Sequence, residues 1–318
     1  MMEDSAVSPV VAVMLILAIV VTFVSISHTI IVPSMKAQSE IEHFGKVEES
    51  FLRFGSDIEL AASLKRDIRL SERIPLGGGD FLLNPVRSSG TLRVLQEPNW
   101  IVNVTVRNAT DSVTRSAMLV NVSYSSSENF WQDQGYRWQY GYTNISKGRV
   151  ETPLELPTMT DVIEQAGSSG FGTTLLDLEY SPATVPVIDA NATVTGFDTN
   201  CTSIAIGIVN VTAGERNFAS GNGFCTLALD CTRSAIDTVE NPEQVTIRVN
   251  RNLPVPLDVP LWEKCNATAW ALDTACTNIG NYAFATTPEF DEFSIGISRS
   301  GTPVTVQVVE TVITVMAY

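Results

Sequence analysis

Histidine is nearly missing from this 318-residue chain: the two present, His28 and His43, both lie near the N-terminus. Imidazole-dependent catalysis and metal binding are thereby excluded from the long remainder. Basic residues are also few, 20 Lys+Arg against 35 Asp+Glu for a net charge of -15, and that is too few to grip a phosphate backbone. Nucleic acid is therefore not an expected partner. The sequence has no nucleophile elbow, metalloprotease helix or dinucleotide fingerprint. Gly77-Gly78-Gly79 is not followed by Gly-Lys-Ser/Thr, so it reads as a turning neck and not as a phosphate loop. The five cysteines contain no Cys-x-x-Cys pair and have no histidine among them, which argues against zinc. No catalytic residue, cofactor or metal is expected, and the chain does not read as an enzyme. Paired carboxylates alone can hydrolyse glycosides, which leaves a secreted hydrolase as a distant rival.

What is present in quantity is a long apolar run. Residues 7–32 read VSPVVAVMLILAIVVTFVSISHTIIV, and with His28 neutral no charge occurs from Ala6 through Met35. About 20 such residues cross a ~30 Å hydrocarbon layer. A secretory signal peptide fits poorly, because the start, Met1-Met2-Glu3-Asp4-Ser5, is acidic and no A-x-A site follows. Beyond Pro33 the apolar residues thin to Ile41, Phe44, Val47, Phe51, Phe54, Ile58 and Ala61 or Ala62, spacings of three and four that trace one stripe on a helix. Pro33 removes one amide and is expected to kink this helix, not to end it. The pattern thus predicts one helix over residues 6–73, on the order of 90 Å long, with the histidines on its surface facing neighbouring helices or the neck.

The opening Ala6-Val7-Ser8-Pro9-Val10-Val11 after a tiny polar leader, followed by an apolar and then an amphipathic helix, resembles the archaeal type IV pilins and related pilin-like surface proteins. The resemblance covers about the first 70 residues, and Ser8-Pro9-Val10-Val11 is its most specific part. It implies a leader of residues 1–5 cut by a prepilin peptidase around Ser5 or Ala6. It implies further that the helix leaves the membrane to become a filament core, here through Val10, Val13, Leu17, Val20 and Val24. An assembly ATPase and a platform protein would be the other partners. Small residues at Ala6, Ser8, Ala12 and Ala18 would let helices approach closely.

From residue 74 to 318 alternation takes over. Residues 101–106, 118–124, 203–211, 245–249, 293–297 and 303–316 read as strands broken by Gly, Pro, Asn and Ser clusters. Helical signal is confined to residues 161–166 and 261–276. The expected fold class is α+β: a long N-terminal helix and a β-rich, sandwich-like extracellular head, with a possible subdivision near residues 181–190.

Two features argue for an extracellular head. Eight of 18 asparagines stand in Asn-X-Ser/Thr sequons (Asn103, Asn108, Asn121, Asn144, Asn191, Asn200, Asn210 and Asn266), where chance would supply about three. N-linked glycans are expected on some of them. If Asn103 points outward, Val102, Val104 and Val106 point inward. The cysteines Cys201, Cys225, Cys231, Cys265 and Cys276 could form up to two disulfides; Cys225–Cys231 and Cys265–Cys276 are nearest in sequence, and connectivity stays open. Two further clusters invite a site. Tyr136, Trp138, Tyr140 and Tyr142 would share one strand face within the aromatic stretch 130–142, as sandwich core, subunit contact or ligand platform. Glu289, Asp291 and Glu292 form an acidic knot that lacks the spacing of a calcium loop and reads as a solvated loop. The function expected is a structural subunit of a type IV pilus-like filament, self-assembled as a helical homopolymer from a membrane-inserted precursor, for adhesion or surface contact. The alternative is a monomeric membrane-anchored surface glycoprotein with the helix as stalk.

Overall fold

The structure, a computed structural model, describes residues 9–77, 88–127, 133–154, 160–161, 171–253, 255–298 and 303–318. One helix, α1, runs over Pro9–Leu64. It is α-helical over Pro9–Ile26, widens into a π-turn over Ser27–Ile31, and returns to α-helix over Val32–Leu64. The π-turn sits immediately before Pro33, where the missing amide deprives the preceding turn of a hydrogen bond. A wider turn absorbs that loss without ending the helix. The helix closes at Lys65, which is left-handed (φ 46°, ψ 41°) and donates its amide to the Ala61 carbonyl.

The helix thus ends short of the expected residue 73. Residues 68–75 alternate, with Ile74 buried and Arg69, Ser71 and Arg73 exposed, and they pair as a strand along their full length. Period-2 pairing with a partner far along the chain overrides the helical phase that the same residues could continue.

Among the described residues fifteen strands follow. The first eight are β1 (Ile68–Pro75), β2 (Ser89–Gln96), β3 (Val102–Arg107), β4 (Ser112–Ala117), β5 (Val120–Ser127), β6 (Gln134–Gln139), β7 (Tyr142–Lys147) and β8 (Val150–Pro153). After a one-turn helix α2 (Phe171–Thr174) come β9 (Leu176–Ile188), β10 (Val194–Gly221), β11 (Phe224–Glu240) and β12 (Gln244–Asn250). Helix α3 (Val255–Ala275) leads into β13 (Ile279–Thr286), β14 (Phe290–Ile297) and β15 (Thr305–Ala317). A ten-stranded sheet has the order β1-β11-β15-β10-β2-β5-β6-β7-β8, with β9 also paired to β10; a five-stranded sheet has the order β13-β14-β12-β3-β4. β10 and β15 pair in parallel, whereas the other ladders are antiparallel. Every predicted strand segment lies in or over one of these strands. Most of residues 181–190 lies in β9, laddered to β10.

The two central strands carry a switch. Along β10, Ile204, Ile206 and Ile208 are buried and then Val209 and Val211; along β15, Val306, Val308 and Glu310 are buried and then Thr311, Ile313 and Val315. Consecutive residues of a strand point to opposite faces, so the buried face changes between Ile208 and Val209. Ile208 pairs with Glu310 and Val209 with Thr311, so both strands change at the same level. The later halves of β10 and β15 lie on the side covered by α1, and the earlier halves pack on the side of the five-stranded sheet, where Val104, Val106, Ile247 and Ile295 are buried. α3 closes this second layer with Leu257, Leu261, Cys265, Ala269 and Leu272 buried, and its Trp262 ring meets Phe284 and Phe293. The inward Val102, Val104 and Val106 leave Asn103 half-buried on the opposite face, as the alternation predicts.

Candidate functional site

The candidate site is the part of α1 that the fold does not use. From Pro9 to Ile31 no described residue is buried. The predicted assembly positions Val10, Val13, Leu17, Val20 and Val24 are 63%, 65%, 61%, 50% and 46% exposed. From Pro9 to Val21 every side chain is apolar, and the helix is long and apolar enough to cross a membrane. Its amino-terminal neighbours Ser5 and Ala6, the expected peptidase region, lie outside the described residues.

The second half of the same helix is anchored. Phe44, Val47, Phe51, Phe54, Ile58, Ala61 and Ala62 are all at most 4% exposed. Phe51 meets the Tyr136 ring at 5.8 Å, and Phe54 meets the Trp138 ring edge-on at 5.5 Å. Tyr136 and Trp138 of the aromatic stretch are therefore core. Tyr142 does not share their face. Tyr140 and Gly141, with φ of 57° and 90°, make a two-residue hairpin turn between β6 and β7, and Gln139 pairs with Tyr142 on the outer side. At Gly141 a Cβ atom would lie 2.8 Å from Phe171, so the turn also needs glycine for room. Residues 130–132 fall outside the described residues.

Polar contacts brace the same joint. His43, 6% exposed, places Nε2 2.9 Å from the Tyr124 hydroxyl, which lies 3.0 Å from the Leu76 carbonyl. With the phenol donating to Leu76, the imidazole donates to the phenol, and helix, sheet and neck are joined in one relay. Burial, with Lys46 nearby, pushes His43 down to about 4. His43 thus faces the domain's own sheet, a contact that spacing on the helix could not assign. The Tyr136 hydroxyl adds bonds of 3.2 Å to the Phe44 carbonyl and to Glu48. At the far end Lys65 pairs with Asp177 of β9 at 3.0 Å.

The other expected sites distribute unevenly. Asn191 lies exposed in the turn Asp189–Thr193, and Asn108 sits in the β3–β4 turn, accepting the Thr110 and Asp111 amides. Asn103, Asn121, Asn144 and Asn266 are half-buried on strands or helix; the Asn103 amide donates to Ser116, and Asn266 accepts from Tyr282. Asn200 is 9% exposed and accepts from Thr277. Asn210 accepts the Met118 amide and donates to Glu310 at 2.8 Å. These last two are committed to the fold. Among the cysteines, Cys201 of β10 bonds to Cys276 at the end of α3, while Cys225, Cys231 and Cys265 are buried thiols. The bond that forms spans 75 residues and not the shortest gaps, because β10 and α3 are brought together only by the fold. Burial pushes the Cys225 thiol up to about 11 and raises Cys265 further. In the acidic knot, Glu292 pairs with Arg248 at 2.7 Å and Asp291 lies 3.8 Å from Arg251, which makes the knot part of an ion-pair network. No group of three or more metal-ligating side chains occurs among the described residues.

In comparisons with protein-family models, curated proteins and solved structures, nothing matches this chain.

Proposed function

We propose that this chain is a structural subunit of a type IV pilus-like filament of archaeal type. In this reading the apolar half of α1 forms the filament core and the glycosylated β domain forms the outer surface. The observation that carries the reading is the continuity of α1: an apolar segment with no residue buried in its own fold is rigidly joined to a half fixed in the domain core. Such a segment is stable in lipid and equally stable among copies of itself. Moving it from water into either environment is favourable by about 25 cal/mol per Å² of apolar area. A heterologous contact repeated by rotation and rise gives an open filament, with no catalytic step and with adhesion or surface contact as the outcome. The exposed Asn191 turn is the site best placed to carry a glycan, which would put the domain outside the cell.

The test is negative-stain electron microscopy of material sheared from the native cell surface, with mass spectrometry of the same fraction. The expected result is filaments whose main component begins near Ala6 and carries glycan at Asn191. A protein that sediments only with membranes, is released by detergent and retains Met1 would instead be a stalked surface glycoprotein.

A further inference from the structure

On its face turned away from α1, the ten-stranded sheet carries a row of arginines and aromatic rings open to solvent. Arg73 stacks over Phe224 at 4.2 Å, Arg93 over Phe218 at 5.5 Å and Arg216 over Tyr318 at 5.5 Å. Sheet order brings them together from five neighbouring strands, β1, β11, β15, β10 and β2. Arg73 is opposite Thr226, Thr226 exchanges both backbone bonds with Tyr318, and Phe218 is opposite Arg93. Four strand spacings make the row about 19 Å long. Along these strands the adjoining Ile74, Leu227, Ala317, Leu92 and Val94 are buried, so alternation turns the row itself to the other face.

The three rings are 51–61% exposed, and the three arginines are exposed as well. Stacking holds a guanidinium flat against a ring without using its N–H donors, which point outward in the plane of the fork. Among the described residues, Arg73, Arg93 and Arg216 make no side-chain hydrogen bond and no ion pair. Their acidic neighbours in the chain do not neutralise them. Glu72 turns towards α1, where it lies near Asp57 and Arg53, and Glu215, beside Arg216 in the bulged part of β10, forms no ion pair among the described residues. In a chain of net charge -15, this is a local cationic surface interleaved with apolar rings.

A ligand that fits this row must be anionic, extended, and apolar between its charges. The row crosses the strands side-on and is made of side chains, so a peptide cannot join it by adding as a strand. A nucleic acid is repelled by the net charge of the chain and finds too few cations to grip. Lipid headgroups are out of reach. Ser50 of α1 lies 3.4 Å from the Arg73 carbonyl, which sets the row about 28 Å of helix beyond Ile31. Attraction between exposed charges is screened within about 8 Å at physiological salt. A uronic-acid polymer meets all three conditions. Its pyranose rings present apolar C–H faces that can lie on aromatic rings, and each carboxylate can accept two hydrogen bonds from one guanidinium fork.

We propose that this arginine–aromatic row binds a linear uronic-acid polysaccharide laid across the strands from β1 to β2. Sugar faces lie on Phe218, Phe224 and Tyr318, and carboxylates meet Arg73, Arg93 and Arg216. Salt screens the charge pairs and leaves the ring contacts in place, so binding weakens as salt is raised without vanishing. The proposal rests on the reading of the domain as lying at the cell surface, and it gives the surface contact in that reading a ligand class.

The experiment uses the full chain in a non-ionic detergent and measures its binding to immobilised polygalacturonate by biolayer interferometry. The wild type is expected to bind. Fully methyl-esterified polygalacturonate, which keeps the sugar rings and lacks the charges, should bind about tenfold more weakly or worse. Arg93→Glu with Arg216→Glu should also cost about tenfold or more. Arg107→Glu with Arg149→Glu makes the same charge change at exposed arginines off the row, and should leave affinity within about twofold. Phe218→Ser removes a ring and no charge, so it should weaken binding about threefold or more with unchanged salt dependence. Unchanged melting of each variant confirms folding. A wild type that does not bind, equal binding of the esterified polymer, equal losses from the two charge-reversed pairs, or a Phe218→Ser variant that binds like the wild type would each overturn the proposal. So would equal affinity for polyglutamate, which would make the row a surface for acidic polypeptides, or binding to phosphatidylglycerol vesicles with none to the polysaccharide. Polygalacturonate binding without any surface filament removes the filament reading alone. Surface filaments built from a chain that does not bind remove this ligand alone.

Discussion

The two halves of α1 are equally helical and opposite in fate. Between Pro9 and Ile31 no residue is buried and from Pro9 to Val21 every side chain is apolar, whereas between Val32 and Leu64 one apolar stripe is buried from Phe44 to Ala62. The first half offers its own domain no amphipathic seam to align on. A helix apolar all round is satisfied only by a wholly apolar surrounding, lipid or other copies. The second half has a stripe that matches the aromatic face of β5 and β6, so its binding partner is covalently attached. One helix thus couples a segment with no residue buried in the domain to a segment docked within it.

That contrast breaks most visibly if the stripe is damaged. Phe51→Ala or Phe54→Ala removes a ring packed against Tyr136 or Trp138 at no more than 1% exposure. Each should cost the β domain about 3–5 kcal/mol, read by denaturant unfolding of the full chain in detergent. Leu17→Ala, in the undocked half, should leave the same transition within about 0.5 kcal/mol while impairing filament yield. Equal losses from both substitutions would mean that the halves are not energetically separate.

Acid should loosen the docked half next. His43 is held near 4 in the fold by burial, below the value of about 6.5 that it regains when unfolded. Above pH 6.5 both states are neutral and the full stability is present. As pH falls from 6.5 towards 4, the unfolded chain binds a proton that the folded chain refuses, and stability is lost. The loss is on the order of 3 kcal/mol at most. His43→Gln keeps a donor for Tyr124 and should flatten this part of the pH–stability curve. An unchanged slope would place the acid sensitivity elsewhere.

How much of this was readable beforehand depends on the range of the interaction. The stripe Ile41, Phe44, Val47, Phe51, Phe54 and Ile58 announces a docked face, because side-chain spacing on a helix is a local property; all but Ile41, which is 45% exposed, are buried. The strand at residues 303–316 was equally plain from its alternation. The end of the helix was not: residues 65–73 suit a helix, and only pairing with β11, more than 150 residues later, makes them β1. The same holds for Cys201 with Cys276, and for His43, whose partner Tyr124 is 81 positions away. Sequons mark chemistry but not access, so Asn191 and Asn210 look alike until the fold exposes one and engages the other. In the candidate site, the apolar segment was legible and its manner of attachment was not.

The smallest effect is the most discriminating, because it separates the fold from the assembly at one residue. Gly45 lies on the exposed side of the docked half, and a Cβ added there would meet nothing within 4 Å. A glycine inside a helix costs about 0.5–1 kcal/mol relative to alanine. Gly45→Ala should therefore raise the stability of the isolated chain by about that amount, measured as a higher denaturant midpoint at unchanged slope. If the side facing away from the sheet is where neighbouring helices approach in a filament, the same methyl group occupies space that they need. Filament yield from cells should then fall even as the subunit becomes more stable. By contrast, at Gly55 a Cβ would touch Trp138 of the same chain at 3.5 Å, so Gly55→Ala reports on the domain's own packing and serves as the internal comparison. A stabilised Gly45→Ala subunit that assembles as well as the wild type would show that this stretch of the helix makes no close contact with a neighbour. The close-packed core would then be confined to the apolar half before Pro33.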